Sequence, residues 1–184
     1  MGEAFPGFSS QSSISRDGLV FFAIRCFSRR NILCIFKLIY GVGLRALRKL
    51  FMDINPTWTN QPSDAAGFDK GAMKLRKDEL IVFNNGDVNE WDFSLMTTAL
   101  LYSKSCALEI NKKPGYALAL QELKNLRNRL LGHPCTERMC DADFNVFWSR
   151  LSDNFVTLGA DPDEIAEITL HSGICTCYVL ISTY

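Results

Sequence analysis

The sequence predicts an all-α fold, and three observations carry that prediction. Apolar residues recur every three or four positions along much of the 184-residue chain, which is the period of an amphipathic helix. Aspartate, asparagine, proline and glycine stand where such runs begin and end, as they do at helix termini. Strand-like alternation is convincing only in residues 173–184, an apolar stretch without a helical period. The length suits one domain with a sizeable core.

Composition indicates a folded protein whose charge is unevenly distributed. Hydrophobic residues make up 47% of the chain, and 20 basic residues balance 20 acidic ones, so no global field marks a nucleic-acid binder. Residues 138–184 hold two basic and seven acidic residues, a net charge of −5, which leaves +5 on residues 1–137. This asymmetry is mild evidence for an anionic partner or for self-association.

The cysteines predict a reducing setting, cytoplasmic or nuclear, of which we take the cytoplasm, and the apolar runs predict no membrane-spanning helix. The seven cysteines are odd in number and show no disulfide framework, and Cys26, Cys34 and Cys106 lie in apolar helical runs. We see no signal-peptide pattern. Charged residues interrupt the apolar runs 19–27 and 32–44, so no uncharged stretch approaches the ~20 residues of a spanning helix. We therefore interpret both runs as buried core helices.

The first third of the chain is predicted to contain two helices and a long loop. Residues 1–15 are rich in serine and glycine and are expected to be disordered, with a helical domain over 16–169. A first helix can begin near Asp17. Asn31 could cap a second helix, whose apolar positions have helical spacing (Ile32, Ile35, Phe36, Ile39, Val42, Ala46 and Leu50). Prolines and a glycine predict a loop over Asp53–Asp69.

The middle of the chain is predicted to be helical with one sharp turn. A short charged helix is expected over Lys70–Leu80, and Asn84–Asp87 has the composition of a turn. Asp92 is a suitable N-cap for the helix that follows. The apolar positions of that helix repeat every three or four residues (Phe93, Met96, Ala99 and Leu100).

The last third of the chain is predicted to contain three helices, which residues at their starts and ends delimit. Pro114 and Gly115 open a helix with leucines near one face (Leu118, Leu123, Leu126 and Leu130), and Gly132 and Pro134 end it. The next helix has the clearest apolar period (Phe144, Phe147, Trp148, Leu151, Phe155 and Leu158) and closes at Gly159. Asp161 with Pro162 is a strong start for another helix. Residues 170–184 form an apolar tail without an assigned structure.

The end of the helix at Gly132 carries the residues with the most chemistry. Arg127, Asn128 and His133 lie there within seven positions, and His133 is one of two histidines in the chain. Arginine can hold a phosphate through its planar fork, and imidazole can move protons near pH 7. Asn128 could bind a phosphate or fix the imidazole tautomer. One copy supplies one imidazole, whereas RNA cleavage works best with an acid and a base, so two copies in a dimer would make chemical sense.

The string LRNRLLGHP, followed by DADFNVFWSRLSDNFVTLG, resembles the HEPN superfamily (higher eukaryotes and prokaryotes nucleotide-binding domain). It is most similar to the HEPN domain of the DAZ-interacting zinc-finger ubiquitin ligase family. The stretches LRALRKLFMDINP and WDFSLMTTALLYS also fit that family's helix order, so the resemblance covers roughly 44–168. It implies an up-and-down bundle of about five to seven helices, often dimerised so that two Arg–His motifs face each other.

The resemblance also implies a range of functions. Active members are metal-independent endoribonucleases, whereas others bind RNA or nucleotides or mediate assembly. Arg127, Asn128 and His133 match the family's arginine, polar residue and histidine, with five residues between Arg127 and His133. Gly132 before the histidine makes ribonuclease geometry less certain. The chain has no RING-type zinc pattern, so ligase activity would not come with the domain.

Several other interpretations stay open. Arg127 could be a cation favoured by the helix dipole and His133 a C-terminal cap. A second functional class is a non-catalytic interaction or dimerisation module in an innate-immune or ubiquitin-linked assembly, and a third is a fragment of a larger protein. We expect neither a cofactor nor a metal, because His133, Cys135 and Cys140 have no fourth ligand nearby. The basic runs at 45–49 and 70–77 are interpreted as solvated helix faces, and the three tryptophans as packing residues.

Overall fold

Every regular element in residues 30–132 and 139–171, which a computed structural model describes, is a helix. The expected all-α helical bundle is therefore confirmed for that part of the chain. The predictions for residues 1–29, including a helix near Asp17, lie outside the described residues, as does the tail from 172 onward. The last helix includes residues 170 and 171, the first two of the unassigned tail.

The first described stretch is one continuous helical path. Helix α1 (residues 30–37) passes into a π-helical segment, Leu38–Gly43, and then into α2, Leu44–Ile54. The predicted apolar stripe is buried along this path, with Phe36 partly so. The predicted cap at Asn31 is wrong, because Asn31 lies inside the helix. Its side chain is buried and binds the start of a distant helix.

A left-handed glycine decides the structure between α2 and the middle of the chain. Gly71 has a φ of 54°, and Ala72 N–H donates to the Tyr102 carbonyl at 2.8 Å. The helix predicted over Lys70–Leu80 therefore cannot form along its whole length. It is replaced by α4, Lys77–Asn84, where the Glu79 carboxylate accepts the Arg76 N–H at 2.9 Å. The predicted turn follows at once, with Gly86 at a φ of 75°.

The loop predicted over Asp53–Asp69 is wrong at its start and in its interior. Helix α2 continues to Ile54, and α3, Pro62–Gly67, forms inside the predicted loop. Pro62 stands at the first helical position, where its missing N–H costs nothing. The Asp64 carboxylate accepts the backbone N–H groups of Thr59 and Gln61 at 2.7 and 3.0 Å, which closes the turn that leads into α3.

Aromatic rings from these short elements form a cluster against α2. Five rings lie with centroids 5.0–5.9 Å from their neighbours, which we call the aromatic cluster (Phe51, Trp58, Phe68, Phe83 and Trp91). Trp58 and Trp91 are buried, and Trp148 is partly buried against the core elsewhere. The interpretation of the tryptophans as packing residues is therefore confirmed.

Helices α5 and α6 pack against each other and against α2 and α7. Helix α5, Phe93–Tyr102, begins as predicted, because the Asp92 carboxylate accepts Leu95 N–H at 2.8 Å. A bend at the buried Ser103 separates it from α6, Lys104–Lys112. Cys106 in α6 and Cys34 in α1 are fully buried, as their apolar surroundings predicted.

The last three helices include the one that carries Arg127. They are α7, Tyr116–Gly132, α8, Asp141–Thr157, and α9, Pro162–His171. Gly159, with a φ of 94°, follows α8, and Asp161 accepts Asp163 N–H at 2.9 Å where α9 begins, so both predicted borders are confirmed. The face predicted for α7 needs one correction. Leu118 is 78% exposed, because the buried stripe begins one residue later at Ala119 and Leu120.

Candidate functional site at the end of helix α7

Helices α7 and α8 form an antiparallel pair that positions the Arg127 region. Leu123, Leu126 and Leu130 of α7 and Phe144, Leu151 and Phe155 of α8 are buried in the same core. Two surface contacts fix the register. Arg150 of α8 donates to the Glu122 carboxylate of α7, and the Arg129 guanidinium lies 5.4 Å from the centre of the Phe147 ring. In this register, Arg127 lies at about the level of Trp148.

Arg127 is held partly inside the protein with an unused hydrogen-bond donor. Its side chain is half-buried, and its Nε is shielded from solvent without an acceptor among the described residues. Its Nη1 donates to the Asn128 side-chain oxygen at 3.2 Å. Since a buried donor without an acceptor costs free energy, this arrangement is unfavourable for stability alone. Arg127 and Asn128 are therefore brought together, as a shared polar site requires.

The exposed positions of α7 around this pair carry amide groups and cations, with one exposed apolar residue, Leu131, beside them. Gln121 donates to Asn125 at 3.3 Å, and Asn128 is exposed. Lys124 lies 4.7 Å from the centre of the Tyr102 ring and donates to its hydroxyl at 3.2 Å. The one carboxylate of α7, Glu122, is paired with Arg150 on the side facing α8. This face can donate hydrogen bonds to anionic or sugar oxygens without a nearby carboxylate on the same helix.

His133, the third predicted site residue, lies outside the described residues. It follows the last residue of α7 directly and belongs to the connection 133–138 between α7 and α8. The geometry described for the site is therefore that of Arg127 and Asn128. The described residues on either side of the connection are Gly132, the last residue of α7, and Met139. Met139 directly precedes Cys140, the cap of α8.

Asn31 anchors the far end of this connection. Its side-chain Nδ2 donates to the Met139 carbonyl at 3.3 Å and to the Asp141 carboxylate at 2.8 Å, and the residue is 3% exposed. The bond joins α1 to the first turn of α8. A sequence signal for this role exists, because Asn31 lies on the apolar face with Ile35 and Leu38. A polar residue on such a face usually has a buried partner.

Cys140 has a structural role at the start of α8. Its Sγ accepts Asp143 N–H at 3.4 Å and donates to the Asp143 carboxylate at 3.1 Å, which caps the helix. Within residues 30–132 and 139–171, no group of three or more histidine, cysteine, aspartate or glutamate side chains could hold a metal ion. His133 and Cys135, which the sequence analysis considered as metal ligands together with Cys140, lie outside those ranges.

The basic run at 45–49 needs a correction at one residue. Arg45 is exposed and pairs with Glu164 at 2.8 Å, as a solvated face allows. Arg48 instead donates to the carbonyl oxygens of Val88, Asn89 and Trp91 at 3.1, 2.6 and 3.0 Å. Burial lowers the pKa of the Arg48 guanidinium, against the opposite influence of Asp87. Arg48 therefore holds the 3₁₀-helix Val88–Glu90 against α2.

Comparison with known proteins gives no relative for this chain. No protein-family model, no curated protein and no solved structure matches it. In the described ranges, none of the helices has the length and apolar character needed to cross a membrane. The site must therefore be interpreted from its own residues.

Proposed function

We propose that this chain is a HEPN-like domain that binds RNA or a nucleotide at Arg127, Asn128 and His133. One observation carries the proposal: the half-buried Arg127 guanidinium has a shielded Nε without an acceptor among the described residues and lies beside exposed Asn128. A phosphate bound there would supply the missing acceptor, and an arginine fork matches phosphate oxygens in geometry and charge. The polar face of α7 supports the same ligand class, because amides and cations bind the sugar–phosphate backbone.

The same residues suggest a mechanism for RNA cleavage without a metal. Arg127 would hold the scissile phosphate and stabilise the charge that develops on it. His133 from each protomer of a homodimer would act as the general base for the 2′-hydroxyl or as the acid for the leaving oxygen. Asn128 would orient one imidazole through its side-chain amide. A reducing, cytoplasmic setting agrees with the buried thiol of Cys106, which is not oxidised to a disulfide.

RNA binding is tested with three single variants of α7. We expect Arg127→Ala to weaken binding of a fluorescent single-stranded RNA at least tenfold. Arg129→Ala is the matched control, because it removes the same charge from the same helix at a residue that lies over Phe147. It should change the affinity less than threefold. Arg127→Lys keeps the charge and loses the fork, so it should fall between the two. Equal losses from Arg127→Ala and Arg129→Ala would indicate a non-specific charge effect and overturn the site.

Cleavage is tested with the same RNA in excess EDTA. The wild-type protein should cut it, and His133→Ala should reduce the rate at least a hundredfold. His171→Ala, which removes the other histidine of the chain, is the control and should cleave at the wild-type rate. Absence of cleavage by the wild type, or equal cleavage by His133→Ala, would contradict the enzymatic part of the proposal and leave binding to be judged by its own test.

A second candidate is a non-catalytic interaction module in an innate-immune or ubiquitin-linked assembly. The exposed leucines of α7 favour it, since Leu118 is 78% and Leu131 45% exposed on the helix that carries the candidate site. The double variant Arg127→Ala/His133→Ala separates the two functions. Partner association that survives in this variant, with RNA affinity absent or unchanged, would favour the interaction module.

A further inference from the structure

A groove of about 700 Å³ lies between the π-helical segment and α9, away from the candidate site on α7. We call it the π–α9 groove. Its apolar lining comes from Leu33, Phe36, Tyr40 and Val42 on one side and from Ile168 of α9 on the other. Val42 is buried, whereas Leu33 is 59% and Tyr40 40% exposed. The groove therefore presents large apolar side chains to solvent on its outer side.

The sequence of α1 and the π-helical segment explains why apolar side chains are exposed at this surface. Leu33, Phe36 and Tyr40 follow helical spacing, and the Phe36 and Tyr40 rings stack with centroids 5.8 Å apart. They form a second apolar stripe beside the buried stripe that contacts the core. A helix with apolar residues around most of its circumference is normally covered on all those faces. Helix α9 covers this second stripe in part.

The charged residues at the rim restrict the kind of occupant. Lys37 and Arg45 are balanced by Glu164 and Glu167, and Arg45 binds Glu164 at 2.8 Å. The rim therefore carries no net charge. An uncharged apolar segment fits this surface better than an acidic or basic partner, whose charges would find no surplus of the opposite sign.

We propose that residues 173–184 of the same chain occupy the π–α9 groove. This segment contains no charged side chain and is rich in apolar residues (Ile174, Cys175, Cys177, Tyr178, Val179, Leu180, Ile181 and Tyr184). One residue, Ser172, separates it from α9, and the last residue of α9, His171, lies less than one turn beyond Ile168 of the groove. Burial of its apolar side chains against the exposed stripe supplies the driving force.

The reach of the segment is sufficient. Extended chain covers up to ~3.3 Å per residue, so twelve residues span roughly 40 Å. The side of the groove from Leu33 to Arg45 is roughly 18 Å long at 1.5 Å per helical residue. Because the segment is tethered to α9, its local concentration at the groove is high, which favours it over a second copy at moderate protein concentration. The other apolar run outside the described residues, 19–27, carries Arg25 and fits the neutral groove less well.

Photo-cross-linking in the full-length chain tests this proposal. A photoreactive benzoylphenylalanine replaces Tyr40, which keeps an aromatic side chain at the groove. After irradiation, mass spectrometry should find cross-links to peptides from 173–184 within a single chain. The same probe at Leu118 of α7, which is more exposed, is the control and should give at least tenfold less of that product. Cross-links that join two copies, cross-links to 19–27, or none to 173–184 would each overturn the proposal.

A pair of double variants identifies the force that holds the segment. Val179→Asp/Leu180→Asp places two charges at apolar positions and should reduce the Tyr40 cross-link at least tenfold. Ser182→Asp/Thr183→Asp adds the same charge at polar positions of the segment and should reduce it less than threefold. If both pairs reduce the yield of the Tyr40 cross-link equally, apolar contacts do not hold the segment in the groove. If the first pair fails to fold, the cross-link of the unsubstituted segment decides the proposal alone.

Discussion

Two half-buried arginines illustrate how two regions of this molecule differ. Arg48, beside the aromatic cluster, donates to three backbone carbonyl oxygens at 2.6–3.1 Å. Arg127, at the end of α7, binds one neighbouring amide and keeps a shielded Nε without an acceptor in the part of the chain described. The first arginine completes a structural contact. The second has donor capacity left for a ligand, although that capacity reduces stability.

The surroundings of the two arginines show the same difference. Around Arg48, rings from α2, α4 and the connections between them interlock at centroid distances near 5 Å. Around Arg127, the exposed positions of α7 carry amides and cations, together with the exposed Leu131. The aromatic cluster also contains a shielded donor without an acceptor among the described residues, Trp91 Nε1, so the two regions differ in the positive charge of the Arg127 donor and in its polar surroundings. Four predictions test this division, beginning with the largest expected effect.

The aromatic cluster should contain the most costly single substitution. Trp91 is fully buried, with its ring 5.1 Å from the rings of Phe51 and Phe83. Trp91→Ala should lower the free energy of unfolding by about 3–5 kcal/mol, because it leaves a large cavity. Trp91→Phe keeps a ring and should cost about 1.5 kcal/mol or less. Urea unfolding followed by circular dichroism measures both values. A similar loss from Trp148→Ala, which lies near Arg127 and is partly buried, would contradict the proposed division.

The contact between the π-helical segment and α8 should be nearly as sensitive. A Cβ at Gly43 would lie 2.2 Å from Cζ of Phe155, closer than the two atoms can approach. Gly43→Ala should cost about 1–3 kcal/mol through overpacking. Gly41→Ala is the matched control, since its nearest neighbour would be Arg45 Nη1 at 4.0 Å, and alanine should stabilise the helix by about 0.5–1 kcal/mol. Phe155→Leu should restore part of the free energy of unfolding that Gly43→Ala removes. If it does not, overlap with the Phe155 ring is not the cause of the loss.

The two arginines should respond in opposite ways to the same substitution. Arg48→Met removes the donor to three carbonyls and should cost about 1–3 kcal/mol, while RNA affinity stays at the wild-type value. Arg127→Met should leave the free energy of unfolding within about 1 kcal/mol of wild type or raise it, because a shielded donor is removed. Its RNA affinity should fall at least tenfold. Thermal denaturation measures the stability of both variants, and RNA titration measures their affinity. If Arg127→Met lowers the free energy of unfolding by more than about 2 kcal/mol, Arg127 has a structural role instead.

The smallest effect concerns acid stability beside the aromatic cluster. The backbone N–H of Gln61, followed by that of Thr59, holds the pKa of Asp64 below its ordinary value of 3.8. A carboxyl whose pKa is lowered by folding stabilises the protein above its unfolded pKa, and the contribution is lost as the pH falls through the folded pKa. Asp64→Asn should therefore be less stable than wild type at neutral pH, and the difference should shrink below pH 3.8. A difference that does not change with pH would exclude ionisation as its cause.

The sequence predicted helices well wherever a local signal was sufficient. Asp92, Gly159 and Asp161 mark helix borders in the structure because capping depends on a few neighbouring backbone groups. It failed at Gly71, because the backbone there bonds to Tyr102, far along the chain. It also failed at Asn31, where the partner of the amide lies 110 residues away. Local patterns carry no information about which distant group will become the partner.

For the candidate site, the sequence alone predicted Arg127, Asn128 and His133 near the end of one helix, and their role as a site stays a prediction. The prediction was possible because residue chemistry and the glycine–proline break are local properties. The tertiary structure decided which donors are already used: Arg48 is satisfied by carbonyls from another element, and Arg127 retains a shielded Nε beside Asn128. Hydrogen-bond satisfaction depends on packing between helices, and only the folded arrangement of α7 against its neighbours determines it.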